Sequence, residues 1–149
     1  MFKFKFLIRF ALIAVLFTAL FSFTAKPKLV APKPQINFIE NSWAEAIKQA
    51  RAQHKYIFVD AYATWCGPCK MLKSKTFKDN KAADFFNKNF VNVAIDMERG
   101  VGPNLASQWN IQAYPTLIIC NADGKPVYGS VGFIEANDLI KFGEQGLKK

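Results

Sequence analysis

The segment Tyr56-Ile57-Phe58-Val59 constrains the fold more than any other part of the chain. Four consecutive apolar, aromatic or β-branched residues without polar alternation describe a strand covered on both faces, not one exposed to water on one side. Such a strand needs a layer above it and a layer below. In a chain of 149 residues those layers are helices packed on a sheet within a single domain. The strand then continues into Asp60 and onward to Trp65-Cys66-Gly67-Pro68-Cys69.

Neighbouring segments supply the other elements. Ile36 and Phe38 alternate as a short first strand, and Ser42 followed by Glu45 has capping-box spacing for a helix over Trp43–Gln53. From Gly67, the spacing of Met71, Leu72 and Phe77 is helical. A second helical piece starts near Asp79 or Asn80, with Ala83, Phe86 and Phe90 as its apolar stripe. Residues 90–95 and Thr116–Cys120 read as buried strands with a short helix over 105–109 between them, in which Trp109 is assigned to packing. The turn Asn121-Ala122-Asp123-Gly124-Lys125 makes a hairpin with residues 127–131, and a last helix covers about 135–145. This β-α-β-α-β-α-β-β-α order belongs to the α/β class. It predicts a three-layer α/β/α sandwich around a central mixed sheet, parallel in its first half and antiparallel in its last hairpin.

The N-terminus is of a different kind. Lys3, Lys5 and Arg9 precede residues 10–23, which carry no charge, and this pattern reads as an export signal. A spanning helix needs roughly 20 apolar residues; starting at Phe6, with Arg9 snorkelling, the leader nearly supplies them. Residues 1–25 are therefore either a cleaved signal peptide or an uncleaved signal anchor. Cleavage after Ala25 places bulky Phe23 where signal peptidase prefers a small residue, and no cysteine before Cys66 offers a lipoprotein-type acceptor. Residues 26–34, with Pro27, Pro32 and Pro34 among Lys26, Lys28 and Lys33, form an extended linker, so the folded domain is expected over 35–149. The expected location is periplasmic or otherwise extracytoplasmic, with membrane contact only through the anchor.

The formal charge is +9, and three of the 20 basic residues lie in the leader, which leaves 17 against 11 acidic ones. The lysines are scattered and no arginine-rich patch appears. That argues for a solvated basic surface and against a nucleic-acid partner.

Chemistry concentrates at the cysteines. Two thiols separated by two residues, where a strand meets a helix, can close a small disulfide. The unpaired N–H groups and positive dipole end of the helix stabilise a thiolate on Cys66. Cys66 is expected to be the exposed attacking thiol, and Cys69, one turn in, the resolving thiol that releases the mixed disulfide. Pro68 suits a first helical turn, where its missing N–H costs nothing. A structural zinc site would need two further ligands, and only the isolated Cys120 and His54 remain. A purely structural disulfide over so short a loop would add little stability. Cys120 reads as a small buried residue and His54 as an ordinary loop residue.

The segment Trp65-Cys66-Gly67-Pro68-Cys69 resembles the active-site signature of the thioredoxin superfamily, and the likeness extends over about 36–146. The resemblance implies the thioredoxin fold and a redox-active disulfide formed by Cys66 and Cys69. It implies that Asp60, six residues before Cys66, is a buried carboxylate that exchanges protons with Cys69, with a pKa raised by desolvation. Pro115 corresponds to a cis-proline opposite the cysteines. Trp65, Gly67, Pro68, Tyr114, Pro115 and Thr116 then form the substrate-binding surface, with Trp65 flanking the dithiol. Neither an organic cofactor nor a metal is implied. The run Lys75-Thr76-Phe77-Lys78-Asp79 is similar to the C-terminal thioredoxin-like domain of transmembrane thiol:disulfide interchange proteins. No membrane electron-transfer domain accompanies it here, so a membrane-bound electron donor is the expected partner beside protein substrates with disulfides or thiols.

Two positions depart from the pattern. Tyr114 is bulkier than the small aliphatic or threonine side chain of many relatives. Ala94, two before Asp96, stands where thioredoxins often carry a lysine near the buried carboxylate, which weakens the proton-relay analogy for Asp60. The Gly67-Pro68 spacer resembles that of reducing thioredoxins. The expected function is reduction or isomerisation of protein disulfides, with a net oxidant or a non-catalytic binding or assembly module as the alternatives.

Overall fold

The computed structural model describes residues 34–149. The leader over 1–25 and the linker up to residue 33 lie outside the described residues. The chain forms a five-stranded sheet in the order β1-β3-β2-β4-β5. Strand β2 (Tyr56–Tyr62), which contains the apolar run, lies at its centre. It pairs in parallel with β3 (Phe90–Asp96), every residue of which is buried, and antiparallel with β4 (Thr116–Cys120). On the outer sides, β1 (Ile39–Glu40) runs parallel to β3, and β5 (Pro126–Val131) closes the hairpin with β4.

Alternation along β2 divides the core. Phe58 faces α2 (Gly67–Ser74), a 3₁₀ turn (Thr76–Lys78), α3 (Asn80–Asn89) and α5 (Ala136–Gly146). It meets Leu72, Phe77, Phe86, Leu139 and Phe142 there, with the Phe58 and Phe86 rings 4.4 Å apart. Ile57, Val59 and Ala61 face the other way, toward α1 (Trp43–Gln53) and α4 (Gly102–Gln108). Ala46 and Ala50, one turn apart on α1 and fully buried, let that helix lie close to the strands. Gly102 serves the same end in α4, since a Cβ there would overlap the Asp96 carbonyl.

The structure moves four expected features. The first strand is Ile39–Glu40 and not the Ile36 and Phe38 pair, because the Ile36 amide donates to the Phe77 carbonyl at 2.8 Å and draws that segment toward the 3₁₀ turn. The capping box does not form. Ser42 makes no side-chain cap, and Glu45 accepts from Gln49 Nε2 at 3.0 Å and lies 3.7 Å from Lys48 Nζ. The helical spacing from Gly67 breaks at Ser74; Thr76 Oγ1 donates to the Ile134 carbonyl, and Asp79 caps α3 by accepting from the Lys81 and Ala82 amides at 3.0 Å each. The short helix also starts earlier than expected, at Gly102, with Pro103 in its first turn.

Candidate active site

The end of β2 and the start of α2 set the cysteines. The Cys66 amide donates to the Ala63 carbonyl at 3.1 Å, which turns the chain, and Cys66 becomes the N-cap residue of α2. Its Sγ accepts a hydrogen bond from the Cys69 amide at 3.1 Å, the position a serine or aspartate oxygen takes in an ordinary cap. Cys66 and Cys69 are joined in a disulfide with a Cα separation of 5.3 Å. Gly67 and Pro68 lie exposed between them, and a Cβ on Gly67 would meet nothing within 4 Å.

Cys66 is not the exposed group the sequence suggested. In the disulfide it is 2% exposed and Cys69 is 5% exposed. The sulfurs turn inward toward Ala63, with Tyr62 and Tyr114 packed against them. Trp65, by contrast, is 66% exposed and belongs to no core cluster. Its indole N–H donates to both carboxylate oxygens of Glu98 at 3.0 Å, and its ring meets Tyr114 edge-on at 6.0 Å. Glu98 is itself oriented, its amide donating to Asp96 Oδ1 at 3.0 Å. Sequence reasoning missed Glu98, since a single glutamate in a loop carries no signal of its partner.

Pro115 follows Tyr114 through a cis peptide bond. Thr116 Oγ1 donates to the Ala113 carbonyl at 2.7 Å and holds the bend from the far side. Burial raises the Tyr114 phenol above the usual range, with Glu98 and Asp96 adding to the effect. The structure thus brings Trp65, Gly67, Pro68 and Tyr114 around the disulfide, with Pro115 directly after Tyr114, and places the Thr116 side chain against its own loop.

Asp60 lies on the Phe58 face of β2 and is 5% exposed. Its Oδ1 has no hydrogen-bond partner among the described residues. Burial pushes its carboxyl up to about 7; Glu40 pushes it further in that direction and Lys73 opposes it. A cavity of about 490 Å³ runs past it, lined by Glu40, Asp60, Cys69, Lys73 and Ala94 among others. The charge that Ala94 does not supply comes from α2 instead. Lys73 stands one turn beyond Cys69 and lies 3.8 Å from Glu40. The i, i+4 spacing of Cys69 and Lys73 was a signal for this, but the position of Glu40 was not readable.

The remaining candidates fall elsewhere. Cys120 is free and fully buried on the opposite face, where burial pushes its thiol up to about 12. His54 caps α1 in a left-handed conformation with φ +51°. Trp109 packs against Trp43 with their rings 5.1 Å apart. Among the described residues no group of three His, Cys, Asp or Glu side chains is placed to hold a metal ion, and no helix is long and apolar enough to cross a membrane.

Comparison with known proteins gives this geometry a family. A thioredoxin-like domain model matches residues 43–147. The thiol:disulfide interchange protein DsbD of Pseudoalteromonas atlantica is 32% identical over 110 residues, which are 70% of this chain and 18% of that protein. The chain spans about half or less of the length of several relatives it matches. A solution structure of a provisionally named disulphide-isomerase from Bacteroides thetaiotaomicron is 44% identical, with a TM-score of 0.70 over 80% of this chain and 98% of that one. The oxidised C-terminal domain of Neisseria meningitidis DsbD, at 20% identity, shares the fold with a TM-score of 0.59 over 69% of this chain and 90% of that one. The mixed five-stranded sheet, the helix-capping cysteine and these matches lead to one conclusion: the chain belongs to the thioredoxin-like family, as a thioredoxin-like oxidoreductase domain whose disulfide redox site is the Cys66-x-x-Cys69 pair.

Proposed function

We propose that this chain reduces or isomerises disulfides in exported proteins. The observation that carries the reading is the Cys66 sulfur seated as the N-cap of α2 and accepting the Cys69 amide. In the reduced protein the same amide and the helix dipole favour a thiolate at that atom over a thiol. The Cys66 thiolate attacks a substrate disulfide, forms a mixed disulfide and expels one substrate sulfur as thiolate. Cys69 then attacks the Cys66 sulfur. The Cys66–Cys69 bond forms, the bond to substrate breaks, and the second substrate thiol leaves. Two electrons pass from the dithiol to the substrate, and the proton lost by Cys69 goes to Asp60. Turnover requires a dithiol donor to reduce Cys66–Cys69 again. The leader and the likeness to DsbD support an extracytoplasmic site of action and a membrane-bound donor.

The substrate approaches over Trp65, Gly67 and Pro68 and pairs with the backbone at Tyr114, whose N–H and C=O enter no backbone hydrogen bond among the described residues. Thr116 contributes by holding the bend beside Pro115. Access to the Cys66 sulfur requires the Tyr114 ring to yield, so this side chain selects among substrates.

Insulin reduction with dithiothreitol tests the reading. Cys66→Ser is expected to reduce the rate to that of the uncatalysed reaction; an unchanged rate would leave only a binding module. Equilibration of the pair with glutathione tests direction. A potential near about −270 mV supports a reductant, whereas one near about −120 mV makes the chain an oxidant.

A further inference from the structure

We propose that Glu40 and Lys73 are positioning residues for the resolving half-reaction: paired at the mouth of the cavity beside Cys69, they hold opposing charges over the route by which Asp60 exchanges its proton with water. This rests on the reading of Asp60 as the proton acceptor for Cys69.

The sheet register places the acids. Glu40 on β1 and Asp60 on β2 are both partners of Ala94 on the intervening strand β3, so the two carboxylates lie in one row across three strands. A methyl group is all that separates them within the sheet, and the gap this leaves is part of the cavity wall. From the layer above, α2 brings Cys69 and Lys73 to the same cavity on successive turns. Lys73 Nζ lies 3.8 Å from Glu40 Oε1, and the two side chains are 73% and 52% exposed, so the pair stands at the exposed end while Asp60 stands at the buried end.

An exposed ion pair at that distance contributes little to folding. Its effect falls on the buried carboxylate, whose Oδ1 has no hydrogen-bond partner among the described residues. Besides Cys69, the other titratable groups lining the cavity are Lys70 on α2 and Tyr62 on β2 itself, and the uncharged polar ones are Gln35, Asn37 and Thr64. On the flanking strands, the register partners of Asp60 are Ala94 and Leu117, neither of them charged. The 3₁₀ turn presents Phe77 and the β1 approach presents Phe38. Glu40 raises the proton affinity of Asp60 and Lys73 lowers it, so the two together keep the acceptor near neutrality.

The test uses the full-length chain in two measurements. In the oxidised form neither active-site cysteine titrates, so the Asp60 carboxyl is followed by ¹³C NMR from acid to alkaline pH without interference from the thiols. Glu40→Gln is expected to move its midpoint down and Lys73→Met to move it up, each by roughly half a pH unit or more, with the double variant between them. The pH profile of mixed-disulfide resolution in the reduced form should shift in the same two directions. A merely structural disturbance would move both variants the same way, and that result, or midpoints unchanged from wild type, would overturn the proposal. Asp60→Asn isolates the underlying reading. If its resolution profile still shows the wild-type inflection, Asp60 is not the acceptor. If the inflection vanishes while Glu40→Gln and Lys73→Met change nothing, Asp60 stands and the pair does not.

Discussion

The two faces of the central sheet bury their ionisable groups in opposite ways. On the face of α1 and α4, alanine, valine and isoleucine pack closely and enclose Cys120, whose thiol is fully buried, lines no cavity among the described residues and is pushed up to about 12. On the face of α2, α3 and α5, large rings meet at tilted, edge-on and stacked angles, and a cavity beside them reaches Asp60, whose carboxyl is pushed up only to about 7. Burial alone does not make a residue chemically useful. What separates the two is a channel and charged neighbours.

The sharpest way to break this contrast is to empty the aromatic face. Phe58 contacts five other rings there, and Phe58→Ala is expected to cost about 3–5 kcal/mol in urea unfolding. A loss below about 1 kcal/mol would mean that this face is loosely packed throughout. Next in size is Asp60. An unfolded aspartate loses its proton near 3.8, whereas in the fold Asp60 holds its proton to about 7. Stability therefore falls as pH rises through that window and levels off above it. The cost reaches up to about 4 kcal/mol by the linkage of one pKa unit to 1.36 kcal/mol. Asp60→Asn should remove this slope, with a gain at pH 8 that is absent at pH 3; an unchanged slope would assign the pH dependence to other groups.

Smaller effects sharpen the other side of the comparison. Cys120→Ser places a hydroxyl where no partner awaits it and should cost about 1–3 kcal/mol, while disulfide exchange by Cys66 and Cys69 proceeds at the wild-type rate. Slower exchange would couple the Cys120 face to the site. At the helix caps, Asp79→Ala should lower stability by about 1 kcal/mol through α3, whereas Ser42→Ala should change it by less than about 0.3 kcal/mol through α1, because only Asp79 makes the cap hydrogen bond. Thermal unfolding of both variants reads the difference directly.

Much of the fold was legible because its signals are local. The apolar run at Tyr56–Val59, the β-branched segment at Thr116–Cys120 and the Cys66–Cys69 spacing each carry their meaning within a few residues. The cis bond at Pro115 came from family likeness, not from the residues themselves. What escaped depends on partners far apart in sequence. Ile36 was misplaced because Phe77 captures its amide. Ser42 and Glu45 have the correct spacing, yet Gln49 and Lys48 compete for the carboxylate. Cys66 is buried in a cluster with Ala63 and Cys69 against which Tyr114, 48 residues later, packs together with Tyr62. The pairing of Lys73 with Glu40 arises only when β1 and α2 flank the same cavity.

The tether between Trp65 and Glu98 has an optical consequence. Of the three tryptophans, Trp43 and Trp109 pack together on the α1 face, and Trp65 alone adjoins the disulfide. Excited indoles lose their energy readily to a nearby disulfide and much less readily to a pair of thiols. With its ring fixed between Glu98 and Tyr114, Trp65 should brighten when Cys66 and Cys69 are reduced and dim when they are oxidised. The domain thereby carries its own fluorescent meter, and electron flow through it can be followed in real time without a label.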